Sequence, residues 1–251
     1  MKYKKPQVSI IITYYKKRAH IHKTINSILS QTYKKFEIIF VYDDEDKKDL
    51  AYINVILKKF KKKKLIVNKK NLGVAKSRNK ALKFSKGSYI AFLDADDIWK
   101  KFKLEFQVRY MMKNKSEFSC SAFDIIDEKN RVIKSRKVPR YINYNHLIKS
   151  NFIGLSTVVF SKKILSKVKF PILKTQEDFA LWLKLLRQGV KLNSIQKNLS
   201  SWRKTQNSLS SNTLQKLIDA FKLFYNHENK NFILSIFGVI MISYNKILKE
   251  L

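Results

Sequence analysis

Asp94, Asp96 and Asp97 stand almost side by side in Asp94-Ala95-Asp96-Asp97, directly after the apolar run Ser88–Leu93. That run is apolar on both faces, as a central parallel strand is. Carboxylates crowded at the end of such a strand repel one another, and a divalent cation carrying a phosphate relieves the repulsion. Asp94 and Asp96, separated by Ala95, can both reach one Mg²⁺ or Mn²⁺, ions that prefer oxygen and keep substrate phosphates as further ligands. Without an ion, the same residues make an acidic turn capping a helix at Ile98. Asp97 suits that cap better than a ligand position.

Other groups could act beside them. Asp43-Asp44 follows the apolar run Phe36–Val41; it could accept hydrogen bonds from a base or ribose, or cap a helix before Leu50. Glu177-Asp178 opens a helix over Phe179–Gln188, where carboxylates suit the helix dipole. A carboxylate there could also take a proton from an incoming hydroxyl. Arg78 could reach a diphosphate or form an exposed salt bridge. Arg203, next to Trp202, could grip a phosphate or stack on the indole. The four histidines have no ligand spacing, and Cys120, the single cysteine, reads as a core residue with no disulfide partner.

The elements that carry these groups follow from hydrophobic periodicity. Strands are expected at Val8–Ile12, Phe36–Val41, Lys64–Val67 and Ser88–Leu93, with helices at His20–Ser30, Leu50–Phe60 and Val74–Phe84 between them. This alternation at short spacing predicts an α/β fold with an open, doubly wound sheet. Ligands of such sheets bind outside the carboxyl ends of the strands, where Thr13-Tyr14-Tyr15, Asp43-Asp44 and Asp94-Ala95-Asp96 fall. Neither a dinucleotide-binding glycine fingerprint nor a P-loop is present, so phosphates fall to metal and side chains. The second half is less regular. It contains a helix Lys103–Met112, a hairpin of Phe118–Ile126 with Arg131–Lys137, a short helix Tyr144–Lys149 and a strand-like stretch within Phe152–Phe160. A last strand Leu192–Ile195 and the segment Leu199–Arg203 lead into a polar loop, Lys204–Asn212. Helices Leu214–Phe224 and Phe232–Leu248 close the chain.

Of the 251 residues, 45% are hydrophobic, enough for a core, while five Gly and three Pro exclude a collagen-like or linker-rich chain. The net charge of +34 has three readings: a coding bias toward Lys, attraction to an anionic membrane face, or nucleic-acid binding. The densest cluster, KKFKKKK at 58–64, is a solvated helix end or a seat for anionic lipid. No zinc finger, helix-turn-helix or RRM pattern supports nucleic acid. With no signal peptide and one cysteine, a cytoplasmic chain is expected. The longest apolar stretch, Phe232–Tyr244, falls short of the roughly 20 residues that span a bilayer.

Taken together, five segments resemble the family 2 glycosyltransferases of GT-A fold. They are VSIIITYY at 8–15, SILSQTYKKFEIIFVYDD at 27–44, NLGVAKSRNKALKFSKGSYIAFLDADDIW at 71–99, TQEDFALWLKLLRQG at 175–189 and WRKTQNSLS at 202–210. The resemblance implies a catalytic domain over 1–210, with a nucleotide-binding half to about residue 100 and an acceptor half beyond it, and a helical extension over 211–251. It implies that Thr13, Tyr15, Asp43 and Asp44 hold the nucleotide's base and ribose and that Arg78 contacts the nucleotide. Asp94 and Asp96 match the DxD metal site, Asp96 as the more direct ligand. Asp178 matches the base of inverting members, with Glu177 beside it, and Arg203 an arginine of a loop that folds over the donor. The sequence departs from the family pattern at Lys16, at Glu45-Asp46 and at Thr205, so the loop after the Asp43-Asp44 pair is expected to be shaped differently.

The implied activity is inverting transfer of a sugar from a nucleotide-diphosphate donor, a UDP-sugar first, to an acceptor hydroxyl. The implied setting is surface polysaccharide, lipopolysaccharide or lipid-linked glycan synthesis. A Mg²⁺ or Mn²⁺ cofactor, peripheral contact with the inner face of the cytoplasmic membrane and no nucleic-acid partner are expected with it. The competing readings are a basic nucleic-acid-binding protein without catalysis and a family member that binds nucleotide but is inactive.

Overall fold

Val8–Tyr14 (β1), Phe36–Tyr42 (β2), Lys63–Val67 (β3) and Tyr89–Asp94 (β4) form one parallel sheet in the order β3-β2-β1-β4. The computed structural model describes residues 7–205 and 212–250. Three helices make the crossovers: Arg18–Leu29 (α1), Leu50–Leu57 (α2) and Val74–Leu82 (α3). Side chains alternate across the sheet, as a period of two requires. Val8, Ile10 and Ile12 face a core made with Ile21, Ile25 and Ile28 of α1 and with Ile53 and Ile56 of α2. Ile11, Ile39 and Phe92 face the opposite core, with Ala81 and Leu82 of α3.

Strand order reverses between β1 and β4, and Thr13 pairs with Asp94 at the carboxyl ends of these two strands. That reversal opens a crevice, because α1 leaves β1 on one face of the sheet while α3 enters β4 from the other. Gly87 lets the chain enter β4: a Cβ there would lie 2.5 Å from the Ser9 amide nitrogen.

Beyond β4 the sheet is mixed. Ile98–Trp99 (β5) precedes the helix Lys103–Lys113 (α4) and the hairpin of Phe118–Ile126 (β6) with Val132–Arg136 (β7). After the one-turn helix Tyr144–Leu147 (α5) come Val159–Ser161 (β8), Glu177–Arg187 (α6) and Leu192–Arg203 (β9). The full order is β3-β2-β1-β4-β8-β6-β9-β5, with β7 on β6. β8 runs antiparallel to β4 and β6, whereas β9 runs parallel to β6.

Three local expectations change. The helix foreseen at Ile98 is a strand that pairs antiparallel with Ser200 and Ser201, so Asp97 caps no helix. The segments Leu192–Ile195 and Leu199–Arg203 are one continuous strand. Its register against β6 shifts near Ala122, which lets the polar Gln196-Lys197-Asn198 pass without breaking the ladder. The strand expected within Phe152–Phe160 is reduced to β8, behind a 3₁₀ turn at Leu155–Thr157.

The chain ends in Thr213–Lys222 (α7), a π-helical turn Leu223–His227 and Phe232–Glu250 (α8). Leu223 and Phe224 enter the core beside α6, and Val239, Met241 and Ile242 of α8 pack against it. Gly238 lies flat on the Phe224 ring, where a Cβ would come within 2.7 Å. The part of the expected polar loop from Gln206 to Ser211 lies outside the described residues.

Candidate active site

The acidic turn after β4 is built by the rest of the molecule rather than by its own sequence. The Asp97 amide donates to Asp94 O (3.1 Å), closing the turn. The Thr24 hydroxyl of α1 lies within hydrogen-bond distance of Ala95 O (2.9 Å) and Asp97 O (2.8 Å). Ser156 Oγ donates to Asp97 Oδ2 (2.6 Å) and accepts from the Asp94 amide (3.1 Å). Asp97 is buried and also accepts from the Arg203 amide at 2.9 Å. Burial and the neighbouring Asp96 and Asp94 charges push its carboxyl well above the usual range. It is therefore an internal brace and not a cap.

Asp94 and Asp96 line a cleft of about 1670 Å³, together with Thr13, Tyr15, Asp43, Arg78, Glu177, Asp178 and Arg203. These residues converge from the ends of β1, β2, β4 and β9, from the start of α6 and from the middle of α3. Arg78, buried on α3, donates from Nη2 to Asp94 Oδ1 (2.7 Å) and from Nη1 to the Glu177 carboxylate. Of the two readings of Arg78, a diphosphate contact or an exposed salt bridge, an ion pair is what forms here, but it is a buried bridge joining the acidic turn to the start of α6. Burial raises both the Asp94 and the Glu177 carboxyl groups, and Arg78 opposes the rise.

Asp178 is the second residue of α6. Its Oδ1 accepts from the Phe179 amide at 2.6 Å. Burial, with the charge of Glu177 next to it, pushes its pKa up to about 7. The loop before it is fixed from the C-terminal helices. Asp219 Oδ2 of α7 accepts from the Thr175 amide (2.8 Å) and from Thr175 Oγ1 (2.9 Å). Gln176, in a left-handed conformation (φ 60°), donates from Nε2 to Lys216 O at 3.0 Å.

At the other wall, Lys16 takes φ 49°, a left-handed conformation that Asn tolerates better than Lys. Its ammonium sits 5.0 Å from the Tyr15 ring centre. Lys17 Nζ lies 2.7 Å from Asp96 Oδ2. Asp43 is buried, and its Oδ1 accepts from Asn68 Nδ2 (2.7 Å) and from the Leu72 amide (2.9 Å), pinning the loop before α3. Asp44 is buried too, with Oδ1 accepting from the Asp46 amide (3.2 Å), and it is not among the residues lining the cleft.

Arg203 is fully buried. Its guanidinium donates to Asp96 O and Asp127 O (both 2.8 Å), to Glu128 O (3.3 Å) and to Asn130 Oδ1 (2.7 Å). It clasps the β6–β7 hairpin to the acidic turn, and Trp202 is not its partner in these bonds. The segment Gln206–Ser210 of the motif expected to fold over a donor lies outside the described residues.

Lys17, Thr24, Ser156, Thr175 and Asp219 carried no signal of their own in the sequence, because each acts through a partner distant in the chain. Among the described residues, no group of three or more His, Cys, Asp or Glu side chains is gathered to hold a metal ion. Two carboxylates with room for phosphate oxygens is, however, a donor set that Mg²⁺ accepts.

Open α/β sheets bind ligands where the strand order reverses, and here carboxylates line that crevice. The Glycosyl transferase family 2 model matches residues 9–169, and the chain belongs to that family. It is 39% identical over 214 residues to the Escherichia coli UDP-Glc:alpha-D-GlcNAc-diphosphoundecaprenol beta-1,3-glucosyltransferase WfaP, covering 84% of this chain and 82% of that one. In fold it is similar to S. aureus TarS 1-349 in complex with UDP-GlcNAc, with a TM-score of 0.72 at 20% identity, over 87% of this chain and 64% of that one. It is also similar to the mannosyltransferase PcManGT from Pyrobaculum calidifontis in complex with GDP-Man and Mn²⁺, with a TM-score of 0.68 at 15% identity, over 91% of this chain and 66% of that one. The fold is GT-A, and the protein is a glycosyltransferase.

Proposed function

We propose that the chain moves a sugar from a nucleoside diphosphate donor, a UDP-sugar, to a hydroxyl of a lipid-linked glycan at the inner face of the cytoplasmic membrane, with inversion. The observation that carries this reading is Asp178, a carboxylate with a pKa of about 7, lining the same cleft as Asp94 and Asp96. A base works best when its pKa lies near the working pH.

In the proposed step, Asp178 takes the proton of the acceptor hydroxyl. The acceptor oxygen forms its bond to the anomeric carbon from the face opposite the diphosphate. The bond from that carbon to the diphosphate oxygen breaks, and the electron pair leaves with the nucleoside diphosphate. One displacement inverts the centre. Asp96 and Asp94 would hold a divalent cation, which neutralises charge developing on the leaving diphosphate. Arg78 keeps Asp94 oriented toward the cleft and ties it to the helix that presents Asp178. Thr13 and Tyr15, which line the cleft at the end of β1, would hold the base and ribose.

The donor relationship in WfaP, which acts on a diphosphoundecaprenol acceptor, supports UDP-glucose as the first donor to try. The decisive experiment is a thermal-shift and hydrolysis screen of nucleotide sugars with and without Mn²⁺, followed by the anomeric configuration of the product. Stabilisation by a UDP-sugar and an inverted product are expected. A retained configuration overturns the single-displacement role of Asp178.

A further inference from the structure

Between Phe232 and Asn245, α8 has no charged residue. One face packs on the protein through Ser235, Gly238, Val239 and Ile242. The other face is the usual place for a polar stripe. Here it carries Ile233 (76% exposed), Phe237 (63%), Ile240 (59%) and Tyr244 (60%), spaced by four, three and four residues. The stripe is therefore continuous along the outside of the helix. Large apolar patches of this kind mark interaction surfaces.

The charge of the chain selects the partner. Two copies meeting through this face would bring two bodies of net charge +34 together, and like charge opposes that contact. An anionic lipid surface gains from the same charge, and Lys222 and Lys230 stand exposed at the end of the α7–α8 hairpin. Among the described residues no helix is long and apolar enough to cross a membrane, so the fitting mode is a helix lying in the interface plane. The same helix borders the cleft through Ile242, Ser243 and Lys246.

The geometry points to the outer face of α8 as a docking surface for an anionic bilayer, with Ile233, Phe237 and Ile240 inserted among the acyl chains. This deepens the proposed function, because it sets the open side of the cleft beside the surface that would carry a lipid-linked acceptor. The cleft-lining residues and the inserted residues are different, so docking and transfer can fail separately.

The test is sedimentation of the full chain with vesicles of phosphatidylglycerol and phosphatidylcholine, without donor or acceptor. Binding is expected, with loss on pure phosphatidylcholine and marked weakening as salt rises from about 0.1 M to about 0.5 M. Ile233→Glu combined with Phe237→Glu and Ile240→Glu should weaken vesicle binding more than tenfold. These side chains face outward, so the melting temperature and the hydrolysis of nucleotide sugar should stay at wild-type levels. Phe237→Leu should keep binding. Failure of the wild-type chain to bind anionic vesicles, or equal binding by the triple variant, overturns the proposal. So does a wild-type dimer in solution that the triple variant dissolves while vesicle binding is absent. Loss of hydrolysis with docking intact would instead count against the proposed function.

Discussion

Lys17 Nζ lies 2.7 Å from Asp96 Oδ2, so the carboxylate expected to lead in cation binding is already paired with an ammonium. Both side chains are largely shielded from solvent, 24% and 15% exposed, which keeps their attraction from being fully screened. A divalent ion on Asp96 must therefore compete with Lys17. Lys17→Ala is expected to tighten Mn²⁺ binding by roughly three- to tenfold, the scale of one partly shielded ion pair. Calorimetric titration of Mn²⁺ without nucleotide reads this directly. An unchanged affinity would show that the two cations do not share Asp96.

Asp178 sets the pH dependence. Its pKa is pushed up to about 7 by burial and by Glu177, so below that pH it is protonated and cannot accept a proton. The rate of transfer should rise with pH on a slope of one and level off above about 7. Stability runs the other way. In the unfolded chain Asp178 returns to the ordinary carboxylate range, so its stabilising contribution is full below that range and lost as pH rises through about 7. Asp178→Asn should lower transfer by roughly a hundredfold or more while donor affinity stays within about twofold. It should also remove this part of the pH dependence of stability, measured by thermal melts across pH. Equal losses in transfer and donor affinity would contradict a role as base.

The parts of the molecule that were legible in the sequence are those governed by local periodicity. β6 spans Phe118–Ile126 as its apolar run indicates, and the four parallel strands sit where the β-branched segments lie. The acidic turn and Glu177-Asp178 could be located because each follows or opens such an element. What stayed hidden depends on contacts between distant residues. β5 is two residues long and exists only through its pairing with β9, about a hundred residues away. β9 reads as two pieces because its polar middle lies at a register shift. The partners of Arg203 are mostly carbonyl oxygens of a turn and a hairpin, which no side-chain pattern announces.

That clasp predicts a stability effect at Arg203. Four hydrogen bonds from its guanidinium hold the β6–β7 hairpin to the acidic turn. Arg203→Met leaves those part-buried acceptors without their partner and should cost about 1–3 kcal/mol. Urea unfolding checks this. Arg203→Lys, which keeps the charge but cannot span the same partners, should be destabilised nearly as much. A variant that loses donor affinity while unfolding at the wild-type midpoint would assign Arg203 to the donor instead.

Asp219 links the C-terminal helices to the loop before Asp178, the proposed base. Its carboxylate oxygen accepts both the amide and the hydroxyl of Thr175, three residues before Asp178, in a buried setting. Asp219→Ala leaves the Thr175 amide without its partner and should cost about 1–3 kcal/mol of stability. The catalytic effect should be distinct from that loss. The Thr175-Gln176 loop loosens, the carboxylate of Asp178 is less well placed, and kcat should fall by roughly tenfold. The proposed donor wall, Thr13, Tyr15 and Asp43, is on other elements, so the donor KM should move by no more than about twofold. Asp219→Asn keeps one acceptor oxygen and should recover most of kcat. If Asp219→Ala lowers stability while kcat at a temperature well below the melt is unchanged, Asp219 braces the helices alone and does not position the base.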